Sequence, residues 1–160
     1  MTPEQYIEAV RGTMTYPKDC KYPEIGLIGE CGELANKIKK QFRDKIFDVP
    51  GIKAELGDIL WYTFAMVSDY KINLPSFDGY WHTWEPCRHW ALQDLTLDIC
   101  DAAMYYIHRK STISLKLFIH HLAEFAWSHN WSLEQVAEAN VQKLLDRQGR
   151  GVLGGNGDLR

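Results

Sequence analysis

Apolar residues recur every three or four positions along most of this chain, and nowhere do they alternate over a strand's length. Leu27, Cys31, Leu34, Ala35, Ile38 and Phe42 share one side of a helix predicted over about residues 24–42. Ile52, Leu56, Ile59, Thr63, Met66, Val67 and Tyr70 do the same over about 52–71. Before them, Thr2-Pro3-Glu4-Gln5 is a helix start: Thr2 caps, Pro3 suits the first turn, Gln5 completes a capping box, and Gly12 is the stop. Residues 13–23, with Pro17 and Pro23, read as a loop, and Asp44 to Gly51, with Pro50, as a connection. Pro75, Gly79 and Pro86 break the pattern between Asn73 and Pro86. Two more helices are predicted over about 88–109 and 113–129, and a last one starts at Ser132, boxed with Gln135, and runs to about 148. The expected fold is all-α, a helical bundle in one domain over residues 1–160, with a glycine-rich loop as its tail.

The charged positions do not lie opposite the apolar ones. Glu30 and Glu33 sit three apart on one helix face, and Lys37 and Lys40 continue it, beside the apolar stripe. The next helix repeats the arrangement with Glu55 and Asp58, and Tyr62 lies one turn beyond. One such block is ordinarily a solvated face. Two blocks on consecutive helices joined by a short connection are different, because those helices are expected to be antiparallel neighbours. Four carboxylates converging within about 6 Å would repel by roughly 3 kcal/mol per pair at an effective dielectric near 20. Divalent cations relieve that, and oxygen-only donors select Mg²⁺ or Mn²⁺. A di-iron bundle needs Glu-x-x-His, and no glutamate here has a histidine three residues on.

Glycine punctuates both blocks. Gly26, Gly29, Gly32 and Gly57 each cost a helix about 1 kcal/mol relative to alanine. Close approach by another helix or a ligand would offset this, so such approach is expected at these positions. A third polar stripe on the last helix, Asn140, Lys143 and Arg147, is followed by Arg150 and Arg160 among glycines, a combination suited to a phosphate chain. The tail is not a dinucleotide fingerprint, since it follows a helix and its glycine spacing is wrong.

Composition narrows the class. With 46% hydrophobic and 24% charged residues the chain is ordinary for a globular protein. A net charge of −3 gives no support for nucleic-acid binding, and no apolar run reaches the roughly 18 residues of a membrane span. Met1 to Gln5 lacks the basic and apolar parts of a secretory signal. The scattered cysteines Cys20, Cys31, Cys87 and Cys100 therefore read as reduced thiols of a cytoplasmic protein.

Three stretches, GLIGECGELANKIKK, KAELGDILWY and LEQVAEANVQKLLDRQGRGVLGGNGDLR, together resemble the MazG-like nucleotide pyrophosphohydrolases of the all-α NTP pyrophosphatase superfamily. The resemblance covers about residues 1–70 and 131–160, and its C-terminal block is similar to phage-type members. It implies Mg²⁺ ligation by Glu30, Glu33, Glu55 and Asp58. It further implies substrate contacts at Tyr62, Asn140, Lys143 and Arg147, and at Lys37 and Lys40. The reaction it implies is attack of water on the α-phosphorus of a nucleoside triphosphate, giving monophosphate and pyrophosphate. Glu33 is the residue we assign to orienting or deprotonating that water. Compact relatives complete their four-helix core by pairing two chains, so a homodimer or higher homo-oligomer is expected, with the alternative that the extra helices of this chain complete the core within one chain or extend a dimer.

The chain departs from the compact pattern over about residues 71–130. There "YWHTWEPCRHW" (Tyr80 to Trp90) offers aromatics for stacking, for a lid, or for packing an inserted element onto the core. His82, Cys87 and His89 are too few and too irregular for a zinc site. Asp94, Asp98 and Asp101 share a solvent-facing stripe, and His120, His121 and His129 read as packing or surface residues. Two rival readings stand beside the pyrophosphohydrolase: a narrow dUTP or dCTP pyrophosphatase, and a non-catalytic helical module that binds nucleotide or a partner protein.

Overall fold

The computed structural model describes residues 1–18, 20–77, 79–82 and 91–152. Among them are six helices and no strand: α1 (Pro3–Thr13), α2 (Tyr22–Asp44), α3 (Val49–Asp69), α4 (Leu92–Arg109), α5 (Thr112–Ser128) and α6 (Leu133–Gly149). The expected all-α bundle is present. Cys87, His89 and the rest of the stretch 83–90, and the tail from 153 on with its glycines and Arg160, lie outside the described residues.

Local sequence sets the helix ends. Thr2 Oγ1 accepts from Gln5 N–H at 3.2 Å, and Gln5 Oε1 accepts from Thr2 N–H at 2.8 Å. Ser132 and Gln135 make the same reciprocal pair at 3.1 and 3.0 Å. Each box satisfies amides that a helix start leaves without partners. Two prolines read as loop or connection instead sit in first turns: Pro23 in α2 and Pro50 in α3. The missing N–H of proline does no harm there. Asp48 caps α3, accepting from Gly51 N–H at 3.0 Å.

α3 is the central helix. It lies between α2 on one side and α1 and α6 on the other, and it is buried nearly all round. Leu56, Ile59, Leu60, Phe64, Ala65 and Met66 are fully buried, as a helix apolar on most of its circumference requires. Two members of the predicted stripes are exposed: Phe42 near the end of α2 and Tyr70 just past α3. Each lies at a helix end, where the neighbouring helix no longer covers it.

The insertion packs within its own chain. α4 lies against α2 and pairs with α5, so the outer side of the α2–α3 pair is covered by residues 92–128. Tyr106 is fully buried, and its hydroxyl donates to the Thr63 carbonyl at 3.2 Å, tying α4 to α3. Trp81, 1% exposed, packs on Tyr6, Phe64 and Phe77, so this aromatic of the unusual stretch is a core residue. His129 stacks on Phe125 and Trp131, and His120 meets Tyr80 edge-on, as packing residues do. Asp94, Asp98 and Asp101 face solvent.

Candidate metal centre

Glu33 follows Glu30 by three positions, which leaves about 60° between them around the helix axis. Glu30 is on the side nearer the apolar stripe and Glu33 on the side away from it. That small rotation decides their surroundings: Glu30 is half-buried between α2 and α3, and Glu33 is exposed at the rim. On α3, Glu55 is 6% exposed and Asp58 half-buried. One carboxylate oxygen from each of Glu30, Glu55 and Asp58 falls within 4.8 Å of the others.

Such a cluster is electrostatically unsatisfied on its own. Burial, then the charges of Asp58, Glu33 and Glu55, push the Glu30 carboxyl up to about 8, and Glu30 shares a hydrogen bond with Glu55. Oε2 of Glu30 and Oε2 of Glu55 are shut off from solvent with no hydrogen-bond partner among the described residues. Orphaned buried carboxylate oxygens are costly, and a cation is their natural partner. The donors are all hard oxygens, three of them anionic in the loaded state, which fits Mg²⁺ or Mn²⁺.

Asp58 is the best-supported of the three. Lys143 Nζ lies 2.5 Å from its Oδ1 and 2.6 Å from its Oδ2, and Asn140 Nδ2 donates to Oδ1 at 3.0 Å. Asn140 is 3% exposed and its own Oδ1 accepts from the Tyr6 hydroxyl at 3.0 Å. The chain Tyr6–Asn140–Asp58 thus joins α1, α6 and α3. It passes directly over Gly57, where a Cβ would stand 3.0 Å from Asn140 Cβ and 3.2 Å from its Nδ2.

The model of the MazG nucleotide pyrophosphohydrolase domain matches residues 24–76, a span that holds all four predicted carboxylates. The Gene 37 protein of Mycobacterium phage L5 is 37% identical over 82 residues, covering 43% of this chain and 72% of that protein. The chain belongs to the MazG nucleotide pyrophosphohydrolase family. No solved structure matches it.

In this MazG family member the remaining predicted residues take distinct places. Lys37, on α2, is bonded to Asp48 Oδ2 at 2.8 Å and stands 3.5 Å from Glu55 Oε1, so it borders the centre on the side of the α2–α3 connection. Lys40 is exposed one turn further on, where its charge acts on Asp44. Tyr62 lies against Gly26: a Cβ there would come 2.2 Å from the ring, so only glycine admits it. Burial, then a hydrogen bond with Tyr22, holds the Tyr62 hydroxyl above the usual phenol range, which keeps it a neutral donor beside Glu30 and Asp58. Arg147 is half-exposed on α6, four residues beyond Lys143.

Close approach is found at only two of the four glycines where it is expected. Gly26 and Gly57 meet Tyr62 and Asn140, but Gly29 and Gly32 are exposed with nothing within 4 Å. Their positions turn away from α3, toward solvent. Two contributors escaped the sequence reading. Tyr6 carries no local signal, because its partner is 134 residues away. Asp48 carried one, since Asp-x-x-Gly around a first-turn proline is an N-cap pattern.

Proposed function

We propose that this MazG family member is a Mg²⁺-dependent nucleoside triphosphate pyrophosphohydrolase, converting (d)NTP to (d)NMP and pyrophosphate. The observation that carries the reading is the meeting of Glu30, Glu55 and Asp58 within 4.8 Å, with two of their oxygens buried and orphaned. A pure binding module gains nothing from a cluster that must be neutralised before it is stable.

Glu30, Glu55 and Asp58 would hold Mg²⁺, or Mn²⁺ in its place, with Glu33 completing the set or acting from the rim. The bound ion supplies charge neutralisation for the phosphates and a lowered pKa for the attacking water. Glu33, exposed at the rim of the centre, is suited to orient that water or take its proton. Lys143 and Arg147 from α6, and Lys37 and Lys40 from α2, approach from opposite sides and would receive the phosphate chain. Tyr62 offers a hydroxyl beside the centre for the sugar or phosphate. Asn140 is better described as positioning Asp58 than as touching substrate, because it is 3% exposed and its amide donates to that carboxylate.

The test is direct. The purified protein, with Mg²⁺ and a panel of NTPs and dNTPs, should release pyrophosphate; folded protein that releases none from any nucleotide contradicts the reading. Turnover confined to dUTP or dCTP would favour the narrower pyrophosphatase.

A further inference from the structure

We propose that Lys143 occupies the cation position on Asp58 in the metal-free protein, so that metal loading and the release of a phosphate-binding lysine are a single exchange. This rests on the pyrophosphohydrolase reading and adds to it an order of events: the ion comes in as the ammonium goes out.

The geometry around Asp58 is that of an occupied ligand. One ammonium is within 2.6 Å of both carboxylate oxygens, the same oxygens the residue must offer to a metal. Lysine is a compact charge on a flexible stem, and it leaves a carboxylate more readily than the forked, bidentate guanidinium of arginine. Lys143 is half-buried, its side chain 25% exposed, so it is not sealed in and has a path outward to solvent. Asp58 itself would stay in place. Asn140 remains hydrogen-bonded to it at 3.0 Å and is fixed in turn by Tyr6, and neither of these groups carries a charge that opposes a cation.

Lys37 shows the contrast. It too stands beside a carboxylate of the centre, but 3.5 Å from Glu55 and bonded to Asp48 at 2.8 Å. It neutralises without occupying. Two cations beside the same cluster therefore make different predictions, one as a competitor for ligand oxygens and one as a neighbour.

The functional consequence is linkage. A divalent ion favours the state in which Lys143 is off Asp58, and a triphosphate favours the state in which Lys143 is free to meet it. Each ligand raises the affinity for the other, and the coupling is reciprocal.

The test uses the full chain and Mn²⁺ alone, with no nucleotide, read by the loss of the free-ion electron paramagnetic resonance signal. Lys143→Met should bind Mn²⁺ at least about five-fold tighter than wild type, the lower end of ordinary coupling between sites. Lys37→Met should show a clearly smaller gain. No Mn²⁺ binding by the wild type would overturn the metal centre, and this inference with it. Binding by the wild type with no gain in Lys143→Met, or an equal gain in Lys37→Met, would overturn the inference alone. A second measurement needs no variant. Reductive methylation read by mass spectrometry should label Lys143 slowly in metal-free wild type and faster once Mg²⁺ is added; a rate indifferent to Mg²⁺ overturns the exchange.

Discussion

Asn140 on α6 rests on the backbone of Gly57 on α3, so close that a Cβ on Gly57 would stand 3.0 Å from its own Cβ. The next residue after Gly57 is Asp58, to which the same asparagine donates. Placing a side chain at 57 therefore disturbs the support of a proposed metal ligand. Alanine would gain about 1 kcal/mol of helix propensity. Against that, overpacking typically costs about 1–3 kcal/mol, and Asn140 has little freedom to yield between Tyr6 and Asp58. We expect Gly57→Ala to lower stability in urea by about 1 kcal/mol net and to weaken Mn²⁺ binding. A variant more stable than wild type would show that Asn140 moves freely.

Gly32 on α2 is the opposite case. Nothing lies within 4 Å of the position a Cβ would take, and the residue is exposed. Gly32→Ala should stabilise the protein by up to about 1 kcal/mol in the same urea titration. Destabilisation there would reveal a neighbour that the monomer does not contain.

These two glycines mark how far sequence reasoning reaches. Helical period and capping chemistry are local, so the six helices, the boxes at Thr2–Gln5 and Ser132–Gln135 and the two acidic blocks were all legible. Periodicity also placed Glu30, Glu55 and Asp58 on faces that meet. It does not say which neighbour a face receives. Gly29 and Gly57 look alike in sequence, each directly before a carboxylate, yet one is open and the other lies under Asn140. Glu30 and Glu33 look alike too, and only the packing of α2 on α3 turns a rotation of about 60° into burial for one and exposure for the other. Tyr6 was invisible because its role depends on a contact 134 residues along the chain.

Asp48 joins the α3 cap to Lys37. Its Oδ1 accepts from Gly51 N–H at 3.0 Å and its Oδ2 from Lys37 at 2.8 Å. Asp48→Ala should cost about 1 kcal/mol, the usual worth of an N-cap. Asp48→Asn keeps a capping oxygen and should cost less. Equal losses in the two variants, measured by urea denaturation, would mean that the ion pair and not the cap carries the effect.

Glu24 gives the fold an acid-sensitive point away from the metal centre. Burial alone would raise its carboxyl, but the Tyr70 hydroxyl, a backbone N–H and Lys110 outweigh burial and hold it below its ordinary 4.5. Lys110 Nζ lies 3.1 Å from Glu24 Oε1. Between the lowered folded value and 4.5 the unfolded chain binds more protons, so stability rises with pH. The contribution is complete above the ordinary carboxylate range and is lost as pH falls through the folded value. Acidification from about pH 6 to below pH 4 should therefore cost wild type more stability than Glu24→Gln. An identical acid loss in both proteins would remove Glu24 from the account.

Glu33 and Glu30 should separate by role. Glu30→Gln removes a buried ligand and should weaken Mn²⁺ binding directly. Glu33→Gln should leave Mn²⁺ affinity within a few-fold of wild type while lowering turnover by about 100-fold or more, the scale of lost general-base catalysis. Parallel loss of metal and turnover in Glu33→Gln would make it a ligand first and a base second.

The proposed reaction is cleavage between the α- and β-phosphates by a water that the carboxylate centre activates. The most direct measurement is ³¹P NMR of the products formed from a nucleoside triphosphate with Mg²⁺ in ¹⁸O-enriched water. Monophosphate and pyrophosphate should form in equal amounts, with the label on the monophosphate. Diphosphate and orthophosphate, label on the pyrophosphate, or no turnover by folded protein across the nucleotides would contradict it.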